Sequence, residues 1–229
     1  MGETRPNGAL AARWIAVSLI VIGLVVALGA GWQWYGKVRH VAAEQRRLDK
    51  VLESWDRSAA AAASPIRPAP ARRAVAAVAA AGTPIARLHL PTISKTLVVV
   101  EGAGDKQLDQ GPGRMANTTP LGEPGNTALA GHRYPGVFWN LDLIEVGDPI
   151  VVETADSWLV YRTVRTLIVE PVDQTVLAAP PRGEPALLTL ITCEPKLSTS
   201  RRLVKQATLI RTDPRTGRTP KELAIPTRR

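Results

Sequence analysis

The sequence predicts an all-β domain, a closed barrel with a few short helices, set behind a membrane-spanning helix and a stalk. Two observations lead there. From Thr83 onward the chain breaks into seven short apolar runs with Gly/Pro-containing turns between them, at 85–90, 96–101, 127–131, 149–154, 158–169, 185–192 and 203–211. No βαβ alternation is visible among them, so a sheet closed on itself is the simplest way to bury their apolar faces. Ahead of these runs, residues 14–34 form 21 positions without a charge.

Residues 1–13 read as a short N-terminal tail and 14–36 as the anchor. At ~1.5 Å per residue such a helix crosses a ~30 Å hydrocarbon core. Trp14, Trp32, Trp34 and Tyr35 sit at its ends, as interfacial aromatic residues do. Ala27-Leu28-Gly29-Ala30 would suit a cleaved signal peptide, but the apolar part of one is only about 7–15 residues. An uncleaved anchor is the better reading.

Residues 37–82 read as a helical stalk and linker. Val38, Val41, Leu48, Leu52 and Trp55 follow a 3-4 spacing, with Gln45 in the one position that breaks it. That stripe predicts a helix. Its expected setting is the membrane surface or water, with a dimeric coiled coil as the alternative. From Ala59 to Gly82, 13 of 24 residues are alanine, interrupted by Pro65, Pro68 and Pro70, which is a linker composition. Residues 83–212 are then the folded domain, expected to fold alone, and 213–229, with three prolines and five basic residues, read as a disordered tail.

The net charge of +9 invites a nucleic-acid reading, and its distribution removes it. Residues 83–212 hold 13 Lys+Arg against 13 Asp+Glu, so the whole excess lies in the flanks. A membrane surface or an anionic cell wall is the partner such flanks suit. A single cysteine excludes an intrachain disulfide.

That cysteine, Cys193, ends the run Leu187-Leu188-Thr189-Leu190-Ile191-Thr192, and Pro195 stops the strand just after it. A lone thiol is ordinarily a small buried hydrophobe. Here the chain also has His132 at the end of Asn126-Thr127-Ala128-Leu129-Ala130-Gly131, and Arg202 opening the next apolar run. These three pieces resemble the sortases, membrane-anchored cysteine transpeptidases of Gram-positive cell envelopes. Their pattern is a small-apolar strand ending in Gly-His, then Thr-Leu-x-Thr-Cys, then an arginine on the following strand. Gln110-Gly111-Pro112-Gly113-Arg114, Gly122-Glu123-Pro124-Gly125-Asn126 and the spacing Cys193-x-Pro195-x-x-Ser198-x-x-x-Arg202 look most like class E, from which Glu194 departs.

The resemblance covers about residues 83–212 and implies an eight-stranded barrel of the sortase kind. It also implies roles: Cys193 as nucleophile, His132 as general acid and then base, Arg202 as donor to the oxyanion. Thr192, Tyr134 and Ser198 are candidate substrate-binding residues. No cofactor is implied, and no HxH or CxxC spacing suggests a metal. The family uses no carboxylate to orient its histidine, and none is assigned. His89 reads as structural and His40 as solvated, while Arg133 suits a salt bridge.

The implied partners are secreted proteins with a C-terminal Leu-Ala-x-Thr-Gly or Leu-Pro-x-Thr-Gly sorting signal, a peptidoglycan-precursor amine and the membrane, with no nucleic acid. The implied place is a single-pass membrane protein with its domain outside the cell. Local charge points the other way, since Arg5 and Arg13 precede the anchor while five basic residues follow it between Lys37 and Lys50. A cysteine hydrolase, with water in place of the amine, and a β-barrel binding module with an inert thiol remain the alternatives.

Overall fold

The computed structural model describes residues 7–62, 79–216 and 218–224. Of the alanine- and proline-rich linker expected from Ala59 to Gly82, residues 63–78 lie outside them, as do 1–6, 217 and 225–229. The chain divides into two units, 1–39 and 40–229. Helix α1 (Asn7–Ala62) begins in the first unit. It is long and apolar enough to cross a membrane.

In the second unit eight strands close into a barrel. They are β1 (Pro84–Leu90), β2 (Lys95–Glu101), β3 (Gly113–Arg114), β4 (Asn126–Ala130), β5 (Pro149–Glu153), β6 (Ser157–Val169), β7 (Leu187–Glu194) and β8 (Arg201–Pro214), in the order β1-β2-β3-β4-β7-β8-β6-β5. The fold class expected from the sequence is the one observed. Seven strands match the seven apolar runs, and the eighth, β3, is two residues long.

The interior follows strand periodicity. Leu88 and Leu90, Leu97 and Val99, Ile150 and Val152, and Leu188 and Leu190 all point into one core. Two strands are apolar on both faces because both faces are covered. On β2, Leu97 and Val99 face inward, while Val98 and Val100 pack outward against Leu48 and Leu52 of α1. On β5, Val151 joins Trp158 and Val160 beneath Leu223.

The stripe at Val41, Leu48, Leu52 and Trp55 therefore has its partner within the same chain. Val41 enters the main core, Leu52 is fully buried, and Trp55 packs beside it. A wetted stalk, a membrane-surface helix and a coiled coil are all replaced by helix-on-sheet packing. Gln45, the break in the stripe, meets a need of the barrel. Strand β3 pairs with β2 only through Val100↔Gly113 and Glu101↔Arg114. This leaves the backbone of Val98 facing a seam. The Gln45 carboxamide fills it, accepting from Val98 N–H at 2.6 Å and donating to Val98 O at 3.0 Å.

The C-terminal flank is also built in. Strand β8 runs two residues past the expected boundary at 212, and Lys221–Ala224 forms a 3-10 turn. Glu222 is buried there against Arg211 at 3.0 Å, so the disorder expected for 213–229 does not hold over 213–216 and 218–224. Arg215 pairs with Asp56 of α1 and Glu153 of β5, and Arg87 of β1 meets Asp49, Asp56 and Glu153 at 2.6, 3.3 and 3.1 Å. His89 completes this network with Nε2 2.9 Å from Glu153, the structural role expected of it. Burial would raise the Glu153 carboxyl, but His89, Arg215 and Arg87 hold it below the ordinary range.

Residues 83–212 are thus the middle of a larger folding unit. A fragment cut to 83–212 is expected to melt at least about 6 °C below one spanning 40–224. Two buried leucines stabilise by ~1.5–3 kcal/mol each, and ~1 kcal/mol moves the midpoint by about 2–4 °C at this size. Thermal unfolding followed by circular dichroism measures it, and equal midpoints would refute the docking of α1.

Candidate active site

Strands β4 and β7 run parallel, ending at the pair Ala130↔Ile191. Beyond it, Gly131 N–H donates to Ile191 O at 3.0 Å, and Thr192 Oγ1 donates to Gly131 O at 2.8 Å. His132 follows Ala130 by two residues, as Cys193 follows Ile191. Both side chains therefore leave the same end of the barrel. Gly131 has no substitute there, since a Cβ would lie 2.6 Å from the Phe138 ring.

Strands β7 and β8 are antiparallel, and Cys193 stands directly opposite Arg202. Residues so paired project on one face with Cβ atoms ~4.5–5.5 Å apart. Leu188, Leu190, Leu203 and Ala207 belong to the inner core, so Cys193 and Arg202 share the outer face. Arg201 pairs with Glu194 instead, and its side chain is 61% exposed near Glu170 at 3.8 Å. The Arg202 guanidinium is steadied by Nη1 donating to Thr199 O and Arg201 O at 2.9 and 3.0 Å.

A groove of about 250 Å³ leads along this face to Arg202. Ala130, Ile191 and Val204 form its apolar floor, while Asn117, Asp173 and Val176 stand along it. The segment between β6 and β7 is pinned as its wall. Asn126 Nδ2 donates to Val176 O at 2.9 Å and Gln206 Nε2 donates to the same oxygen at 3.0 Å. Small residues on β4 leave the room.

The expected site residues are placed unequally. Cys193 is half-buried with a free thiol. Tyr134 stacks on His132 with ring centroids 4.7 Å apart. Burial, and then the charges of Asp109 and Cys193, push the Tyr134 phenol up. Thr192 does not face the groove: it is buried on the opposite strand face, its hydroxyl committed to Gly131. Ser198 lies in the β7–β8 turn, hydrogen-bonded to Ser200 at 3.1 Å, and does not line the groove.

Two neighbours complete the surroundings: Arg133, for which the sequence suggested a salt bridge, and Asp109, which it did not single out. Arg133, whose side chain is 3% exposed, donates to Trp139 O at 3.0 Å, to Cys193 O at 3.1 Å and to Glu194 at 2.6 Å, and meets Asp142 at 3.1 Å. It clamps the segment carrying His132 to the strand carrying Cys193, and Glu194, the departure from the class E pattern, is its partner. Asp109, just after the short helix α2 (Asp105–Leu108), places Oδ1 4.0 Å from His132 Nε2.

Such an arrangement brings a thiol, an imidazole and a guanidinium to one end of the barrel, with the guanidinium of Arg202 lining the groove. It can supply a nucleophile, a proton carrier and an oxyanion donor.

Known proteins match both the chain and its shape. The sortase-domain family model matches residues 88–210. Sortase SrtE2 of Streptomyces coelicolor is 33% identical, covering 97% of this chain and 92% of that protein. The structure of sortase E1 of the same organism, with a tripeptide in the active site, aligns with a TM-score of 0.57 at 30% identity, over 62% of this chain and 97% of that one. The SrtF sortase of Corynebacterium diphtheriae aligns with a TM-score of 0.61 at 27% identity, over 70% of this chain and 100% of that one. The chain belongs to the sortase family of cysteine transpeptidases and is class E-like.

Proposed function

We propose that this protein is a membrane-anchored transpeptidase that joins proteins bearing a Leu-Ala-x-Thr-Gly or Leu-Pro-x-Thr-Gly signal to a cell-wall amine. The observation that carries the reading is the direct pairing of Cys193 with Arg202 at the strand end where His132 also emerges. In the first half-reaction the Cys193 thiolate attacks the scissile carbonyl. Arg202 stabilises the oxyanion, and His132 protonates the departing amine, leaving a thioester. In the second, an incoming amine attacks the thioester, His132 takes its proton, and the thiolate leaves. The apolar groove floor would seat the extended signal peptide. The class E likeness favours the Ala-containing signal and a housekeeping role.

The same reading puts the single-pass anchor in α1 and the barrel outside the cell, where a cell-wall amine is found. The basic residues after the anchor oppose this by simple charge counting. The location of a cell-wall substrate weighs more.

The deciding experiment incubates the protein with a sorting peptide and an amine and follows products by mass spectrometry. The expected product is the new amide. Only the free acid would make the protein a hydrolase, and neither product would leave a binding module.

A further inference from the structure

Gln45 does more than close the barrel seam. Its Nε2 also donates to Gln110 O at 2.8 Å, so one carboxamide holds β2 and the turn after α2 together across 53 and 65 residues of sequence. The turn is shaped to receive it. A Cβ on Gly111 would collide with the Gln45 amide. Asp109, next to Gln110, places its carboxylate 4.0 Å from His132 Nε2, and its charge also acts on Tyr134, which stacks on His132. Asp109 is itself exposed and makes no hydrogen bond to His132 at that distance. Its position is therefore set by its backbone, and the backbone is held from α1.

We propose that Gln45 is a positioning residue for the transpeptidation: through the Gln110 turn it sets the Asp109 carboxylate beside His132. The carboxylate favours the imidazolium that must donate a proton to the leaving amine. A helix segment outside the barrel, remote in sequence from every catalytic candidate, then tunes the proton carrier. This inference rests on the catalytic role given to His132 above, and its test separates the two.

The test is a double-substitution cycle in the full chain, solubilised in detergent, with two readouts. One is kcat/KM on a sorting peptide and an amine. The other is the position of the His132 imidazole ¹H–¹⁵N signals at fixed pH, assigned by their loss in His132→Gln. Gln45→Ala is expected to lower kcat/KM about three- to tenfold, mainly through kcat. It should also move the His132 signals. Asp109→Asn should do the same, and the double variant should be no worse than Asp109→Asn alone.

Two further variants exclude a purely structural role. Gln45→Glu keeps the acceptor for Val98 N–H but puts a carboxylate against two carbonyls, so it should behave like Gln45→Ala. Leu52→Ala should lower the melting temperature while leaving the His132 signals in place. Additive losses in the cycle, or His132 signals unmoved by Gln45→Ala, would overturn the proposal. A wild-type protein that forms no amide would overturn the transpeptidase reading instead, and the spectral arm would still decide the coupling.

Discussion

Cys193→Ala is expected to abolish amide and thioester formation together while the barrel stays folded. No other thiol exists in the chain to replace it. Removing one sulfur from a half-buried strand end leaves the inner core of Leu188, Leu190 and Leu203 untouched. His132→Ala should be as damaging, since proton transfer to the leaving amine and from the incoming one both pass through it. Residues acting as one unit are not additive, so the double variant should be no worse than either single one. The check is thioester and amide formation by mass spectrometry beside far-ultraviolet circular dichroism of each variant. An acyl-enzyme surviving in Cys193→Ala would end the transpeptidase reading.

Arg202→Ala is expected to cost ~10²–10³ in kcat/KM, the usual loss on removing one oxyanion donor, about 2.7–4 kcal/mol. Arg201→Ala should be nearly silent. The contrast follows from strand pairing: Arg202 faces Cys193 across β7 and β8, whereas Arg201 opposes Glu194 and reaches outward toward Glu170. Arg202→Lys should rescue poorly. The guanidinium already gives Nη1 to the carbonyls of Thr199 and Arg201 and keeps other N–H groups for a substrate oxygen, which an ammonium on one point cannot match. Steady-state kinetics of the three variants on one peptide decides it. A larger loss at Arg201 would mean that the wrong arginine faces the thiol.

Much of this architecture was legible because strands leave a period of two. Seven apolar runs became seven strands, and alternation back from Cys193 separates the outer residues from the core. Alternation failed where polar groups are buried with partners. On β8 the inner set includes Lys205, whose ammonium donates to the carbonyls of Ile144 and Asp142 and to Thr166 Oγ1, so that face does not look apolar. Burial lowers the pKa of Lys205, and Asp142, Asp148 and Glu145 oppose this. Strand β3 was invisible because two residues carry no pattern.

The stripe on α1 was legible as a helix face, but a stripe does not name what covers it. Gln45 looked like a flaw in that face because apolar spacing takes no account of hydrogen bonds. Arg133 and Asp109 act through contacts across 60 and 23 residues of chain, which local pattern does not encode. Composition misjudged 213–216 and 218–224, since the charged side chains of Arg215 and Glu222 are buried against partners of opposite charge.

The Gln45 carboxamide imitates a neighbouring strand, presenting one acceptor and one donor to the backbone of Val98. A sheet edge left open is a template for strand addition from another molecule. Here the stopper belongs to a helix rather than to the sheet, so the barrel is edgeless only while that helix is seated. Fragments starting at 83 would carry a ready-made docking strip at β2, flanked by the uncovered Val98 and Val100. For such fragments, self-association through this strip would be the first failure, ahead of unfolding, and solubility would report on the helix more directly than stability does.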